Sequence, residues 1–116
     1  MGNKFPFVTC SIPIFSEKSI EEVARKISKK LFDGLQFSCK EKHIRDEYPA
    51  ISIANPILGL RVIVYGFGGN DGYIFEMNPD FSMNKPVNAE YFELDFSQYV
   101  AHLLKDIEGI QIKLKD

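Results

Sequence analysis

Helical periodicity occurs in only two segments of this 116-residue chain, one near each end, and five strand-like runs lie between them. Apolar residues recur at three- and four-residue spacing in residues 16–34 and again in residues 95–109. A parallel sheet needs a long crossover, usually a helix, between successive strands. Because two helices cannot supply these crossovers, the order of elements favours a mostly antiparallel sheet.

The first helix is amphipathic and has recognisable ends. Ser16 can cap its start, and Ser19 with Glu22 forms a capping box one turn later. Gly34 is suited to its end. One face carries the apolar residues Ile20, Val23, Ile27 and Leu31.

The second helix is predicted to begin at a cap formed by Asp95 or Ser97 and to end at Gly109. Its periodicity places five apolar residues toward the core: Phe96, Val100, Leu103, Leu104 and Ile107. Both helices are expected to pack on one face of the sheet.

Six further runs and the N-terminal run have the composition of strands. "FPFVTCSIPIF" is interpreted as an edge or terminal strand because prolines lie near both of its ends. "LQFSCKEKHI" is expected to pair with "AISIA", and "LRVIVYGF" with "GYIFEM", while "EYFEL" and "IQIKL" flank the second helix. The prediction is a single α+β domain over residues 1–116 in the order β-α-β-β-β-β-β-α-β.

The glycine-rich stretch "VIVYGFGGNDGYIFEM", residues 62–77, is the strongest hint of a phosphate-binding loop. Gly66 and Gly68 fit the dinucleotide pattern, but Asp71 occupies the position of the third glycine. The residues after the loop favour a strand, whereas a phosphate loop opens a helix. The stretch is therefore predicted to be a hairpin turn.

The sequence contains no recognisable catalytic or metal-binding motif. His43 and His102 are the two histidines, and neither belongs to a metal-ligand spacing. Cys10 and Cys39 fall in strand-like runs and are expected to be buried free thiols. We therefore expect no enzyme, no cofactor and no metal.

Charge is unevenly distributed along the chain. Residues 1–45 contain nine Lys/Arg against five Asp/Glu, whereas residues 46–110 contain three against ten. The sequence pI near 5.7 argues against nucleic-acid binding. The absence of a long apolar run and of a signal peptide argues against membrane association and predicts a cytoplasmic protein.

Acidic and aromatic residues alternate along residues 71–95, a combination that suits the capture of a basic protein. The predicted contact residues are Asp71, Tyr73, Glu76, Asp80, Phe81, Glu90, Tyr91 and Glu93. These residues share charge or aromatic character and belong to no motif.

The segment "EYFELDFSQYVAHLLKDI", a strand that runs directly into a capped helix, resembles segments of the immunity proteins of bacterial toxin systems. The small, acidic α+β build is similar as well. The resemblance implies a cytoplasmic protein that binds a cognate toxin, often a nuclease, and occludes its active site.

Two alternatives come from other functional classes. One is a small enzyme whose site combines His43, His102 and scattered carboxylates. The other is a homo-oligomeric accessory protein that pairs through an edge strand, for example residues 5–12.

Overall fold

A computed structural model of the protein describes residues 4–40, 49–79 and 90–112. The predicted α+β order is confirmed. The elements are β1 (Lys4–Phe15), α1 (Ile20–Leu31), β2 (Cys39–Lys40), β3 (Ala50–Ser52), β4 (Leu60–Tyr65), β5 (Tyr73–Pro79), β6 (Glu90–Asp95), α2 (Ser97–Leu104) and β7 (Gln111–Ile112).

The described strands form one sheet in the order β2-β3-β4-β5-β1-β6, and β7 also pairs with β1. All pairs are antiparallel except β1 with β6, which is parallel. Both predicted local pairs, β2 with β3 and β4 with β5, are present. The predicted strand at residues 35–44 begins too early: residues 35–38 form no strand, β2 covers Cys39–Lys40, and residues 41–48 lie outside the described ranges.

The interpretation of residues 5–15 as an edge strand is wrong. Strand β1 pairs with β5 through Cys10 to Ile14 and with β6 through Lys4 to Thr9. It therefore has neighbours on both sides and lies inside the sheet. The alternative of a homo-oligomer that pairs through residues 5–12 stays a prediction.

Both helices pack on the same face of the sheet, as predicted. Alternate residues of the central strands, including Ile12, Ile14 and Phe75, are completely buried against them. The helices contribute Val23, Ala24, Ile27, Val100, Ala101 and Leu104 to the same core. No helix in the described ranges has the length and apolar character needed to cross a bilayer.

The helix ends differ in part from the expectation. Helix α1 is capped by Ser19, whose hydroxyl accepts from the Glu22 N–H at 3.2 Å, while the Ser16 hydroxyl donates to the Gly109 carbonyl. Phe96 immediately precedes α2 and is 39% exposed, so its predicted place in the core is wrong.

The glycine-rich stretch is the turn between β4 and β5, as predicted. Gly68 and Gly72 exchange backbone hydrogen bonds of 3.0 and 3.2 Å, which close the turn. Gly72 has a φ of 73°, and a Cβ atom there would lie 2.8 Å from the Ile14 carbonyl oxygen. Only glycine fits this position without strain.

Candidate functional site

A groove runs along β1 on the face of the sheet opposite the helices. Because side chains alternate along a strand, Thr9 and Ser11 point away from the core that buries Cys10 and Ile12. Their small side chains form the floor of the groove, whose volume is about 440 Å³. Longer side chains of β5 and β6 form its walls.

Carboxylates occupy both walls of this groove. Glu76 on β5 lies opposite Ser11, while Glu93 and Asp95 on β6 lie opposite Phe7 and Thr9. The described lining contains no Lys or Arg. We call Glu76, Glu93, Asp95 and the floor residues Thr9 and Ser11 the acidic groove.

Neighbouring groups hold the three carboxylates in place. The Tyr65 hydroxyl donates to Glu76 Oε2 at 2.7 Å, and the Thr9 hydroxyl donates to Glu93 Oε1 at 3.3 Å. The Ser97 N–H donates to Asp95 Oδ1 at 2.9 Å. A carboxylate has about four acceptor positions, so each group retains capacity for a ligand.

The hydrogen bonds at the start of α2 also keep Asp95 ionised. The Ser97 hydroxyl and then the Ser97 backbone N–H hold the pKa of Asp95 below its ordinary value. The Ser97 hydroxyl in turn accepts from the Ser11 N–H at 2.9 Å. These contacts join the first turn of α2 to the floor of the groove, which gives the acidic wall a rigid support.

The Cys10 thiol lies beneath the groove but is not an activated nucleophile. Burial, followed by the negative charge of Asp95, raises the pKa of Cys10 to about 12; a hydrogen bond with Ser97 opposes this rise, and the charge of Glu76 adds the smallest contribution to it. The thiol is therefore protonated at neutral pH. Cys10 and Cys39 are both free, and Cys39 is only partly buried.

An apolar row lies on the opposite side of β6. Phe92 and Leu94 alternate with Glu93 and Asp95, and they are 44% and 37% exposed. Phe96 continues the row and contacts Tyr99 edge to face, with ring centroids 6.4 Å apart. We call Phe92, Leu94, Phe96 and Tyr99 the apolar row.

The structure brings some of the predicted contact residues together. Glu76 and Glu93 both line the acidic groove, on opposite sides of β1 and four residues apart along it, next to Ser11 and Phe7 respectively. Glu90 is exposed at the start of β6, opposite Lys4. Tyr91 lies on β6 as well, but its side chain is outside the described part of the structure.

Other predicted contact residues lie elsewhere. Asp71 is exposed at the hairpin tip, near the end of β1 that pairs with Tyr73. The register places that end seven residues of strand, about 23 Å, from Glu93. Tyr73 is 5% exposed and donates its hydroxyl to the Lys18 carbonyl at 2.7 Å, so little of its surface can reach a partner. Asp80 and Phe81 lie outside the described residues.

Thr9, Ser11 and Asp95 are site residues that the predicted contact set does not include. They belong to the groove because β1 and β6 pair in parallel across most of the chain length. The local pattern of "FPFVTCSIPIF" indicates a strand but contains no information about this neighbour. The one available signal was the acidic composition of residues 71–95, which already included Asp95.

A second and larger recess lies at the other end of β1. It has a volume of about 770 Å³, and Glu17 and Lys18 are the ionisable residues among its described lining, which also includes Ser16, Asn70 and Gly109. Within the described ranges, no group of three His, Cys, Asp or Glu residues could hold a metal ion. His102 is exposed on α2, and His43 lies outside those ranges.

Comparison with known proteins gives no relative from which a function could be transferred. No protein-family model, no curated protein and no solved structure matches the chain.

Proposed function

We propose that this protein binds a basic protein partner through the acidic groove. One observation carries the proposal. Three carboxylates, Glu76, Glu93 and Asp95, line both walls of a groove whose described lining has no Lys or Arg. The resemblance to immunity proteins identifies the expected partner as a cognate bacterial toxin, which the protein would neutralise.

Charge and rigidity both suit the groove to this task. Clustered negative charge accelerates the encounter with a basic surface and disfavours acidic competitors. Carboxylates that are already positioned by Tyr65, Thr9 and Ser97 lose less conformational freedom when a Lys or Arg side chain binds. An Arg guanidinium can in addition bind a carboxylate through two parallel hydrogen bonds.

Neutralisation would follow from occlusion. If the toxin is a nuclease, its active-site cleft presents Lys and Arg side chains that bind phosphate. The carboxylates of the acidic groove would occupy the positions of those phosphates and exclude the substrate. The protein would then need no catalytic group of its own.

The test begins with a search of the genome for a large toxin-like gene directly upstream of this one. Its C-terminal domain is expressed in a host cell with and without this protein, and growth is measured. The affinity of the purified pair is then measured at two salt concentrations. We expect protection of growth and an affinity that falls as salt rises.

A pair of double variants separates local charge from net charge. Glu90→Lys with Glu93→Lys reverses two exposed charges on β6, and Glu17→Lys with Glu108→Lys makes the same change at exposed positions away from the groove. We expect the first variant to bind at least about tenfold more weakly than the second. Equal affinities, or a toxin whose effect the wild-type protein does not prevent, would contradict the proposal.

A further inference from the structure

Strand β6 has one unpaired edge among the strands that the structure describes. It contains six residues and pairs only with β1 in that set. The Phe96 N–H donates to the Thr9 carbonyl at 2.8 Å. The N–H and C=O groups of successive residues in a strand point to opposite edges. Those of Leu94 and Phe92 therefore also face β1, and those of Glu93 and Tyr91 face outward.

The side chains of this edge alternate as clearly as its backbone groups. Glu93 and Asp95 lie on the groove side of β6, and Phe92 and Leu94 lie on the helix side. All four side chains are exposed. An extended segment that paired with this edge would therefore place every second side chain on acidic groups and the others on the apolar row.

We propose that the outer edge of β6 binds an extended segment of the partner as an additional strand. The segment carries Lys or Arg at alternate positions, which contact Glu93 and Asp95, and apolar residues between them, which pack on the apolar row. Main-chain hydrogen bonds to the outward-facing groups supply affinity, and the alternating side chains supply specificity. The basic character of this segment rests on the proposed function.

A second copy of the chain is the other occupant that an unpaired edge attracts. In an antiparallel pair related by a two-fold axis, the acidic side of one β6 would face the acidic side of the other. Glu93 and Asp95 would then lie opposite carboxylates, and like charges directly opposite each other destabilise a sheet. The charge on β6 therefore favours a basic segment over a homodimer.

The apolar row adds apolar packing to the electrostatic attraction between β6 and the bound segment. Aromatic side chains supply much of the binding energy at protein interfaces. Tyr99 is 65% exposed and contacts Phe96, which is 39% exposed, edge to face, so two partly exposed rings lie beside the end of β6. An apolar side chain of the bound segment would cover them.

Two short labelled peptides test the proposal directly. Both have about eight residues, blocked ends, and the same lysines and valines, and binding is followed by fluorescence anisotropy. In one the two residue types alternate, and in the other all lysines precede all valines. We expect the alternating peptide to bind at least about tenfold more tightly.

The possible results separate this proposal from the proposed function. Equal affinities of the two peptides would overturn the proposed strand addition but leave electrostatic capture of a basic partner intact. If neither peptide binds, strand addition is overturned as well. If the alternating peptide binds but the toxin assay shows no protection, the toxin role fails and the strand-binding edge stands.

Two variants of Glu93 isolate the backbone contribution. Glu93→Gln removes the charge and keeps the outward N–H, whereas Glu93→Pro removes both at an edge position that tolerates proline. We expect the proline variant to bind the alternating peptide at least about tenfold more weakly than the glutamine variant. Equal affinities would overturn the proposal.

The wild-type protein provides the same test if Glu93→Pro lowers stability. The alternating peptide is then methylated on the amide nitrogens of one edge or of the other. Methylation of the edge that faces β6 should abolish binding, and methylation of the opposite edge should leave it unchanged. Equal effects of the two modifications would contradict strand addition.

Discussion

Strands β5 and β6 lie on opposite sides of β1, yet they differ in almost every physical respect. β5 pairs with both β4 and β1, and its residues Tyr73, Phe75 and Met77 are buried. β6 pairs with β1 alone among the described strands, and Phe92, Glu93, Leu94 and Asp95 are all exposed. Apolar and polar residues alternate in the sequences of both strands, so this pattern alone does not distinguish β5 from β6.

Packing in the core explains the apolar residues of β5, but it does not explain those of β6. Phe75 is needed where it lies, because it fills the core beneath both helices. Phe92 and Leu94 contribute little to that core, and water contacts a large part of each. Exposed apolar side chains beside an edge that no described strand covers are the feature on which the proposed strand addition rests.

The largest expected effect comes from truncating one apolar residue in each strand. Phe75→Ala should lower the free energy of unfolding by about 3–5 kcal/mol, because the ring is completely buried. Leu94→Ala should lower it by less than about 1 kcal/mol, because that side chain is exposed. Urea titration of both variants checks the comparison, and equal losses would show that β6 belongs to the core.

A smaller effect is expected at the turn that leads into β5. Gly72→Ala should cost about 2–3 kcal/mol, since it combines a φ of 73° with a Cβ position 2.8 Å from the Ile14 carbonyl oxygen. Gly69→Ala is the matched control, because its φ of 58° is also positive but no atom lies within 4 Å. The difference between their unfolding free energies measures how tightly the turn is packed against β1, and no difference would contradict that packing.

The smallest effect is expected from the carboxylate at the end of β6. Asp95→Asn should cost less than about 1 kcal/mol at neutral pH, because the exposed side chain keeps an oxygen that can accept from the Ser97 N–H and loses only the charge that strengthens this hydrogen bond. The pKa of Asp95 is lower in the folded protein than its ordinary value of 3.8, so its contribution is present above that pH. It is lost as pH falls through the lower folded value.

The contribution of Asp95 can be measured from the pH dependence of thermal stability. Thermal unfolding of wild type and Asp95→Asn should differ by a constant amount above about pH 5 and converge as the pH falls below 4. A difference that persists unchanged in acid would mean that the ionised carboxylate does not provide the stabilisation.

Local pattern was sufficient to predict most of the fold. The spacing of Val23 and Ile27 determines which face of α1 is buried, and the glycines at residues 66–72 determine the hairpin. Such features depend on neighbours within a few residues. The edge assignment of β1 failed because its parallel neighbour β6 comes more than 80 residues later, with register pairs such as Lys4 with Glu90.

The negative charge of the candidate site was predictable from the sequence, but the arrangement of its side chains was not. The acidic composition of residues 71–95 included Glu76, Glu93 and Asp95, which line the same groove. Composition could not show that Tyr73 turns toward the helices and bonds to the Lys18 carbonyl, because that depends on the pairing of β5 with β1. It also could not identify Thr9 and Ser11 as the floor.

Amide hydrogen exchange along β6 can show whether the outer edge of this strand binds an extended segment. In the free protein we expect the Leu94 amide, which faces β1, to be protected and the Glu93 amide, which faces outward, to exchange rapidly. Saturation with the alternating lysine–valine peptide should slow exchange at Glu93 by at least about tenfold and leave Leu94 unchanged. A Glu93 amide that is already protected in the free protein, or that exchanges at the same rate with the peptide bound, would contradict the account.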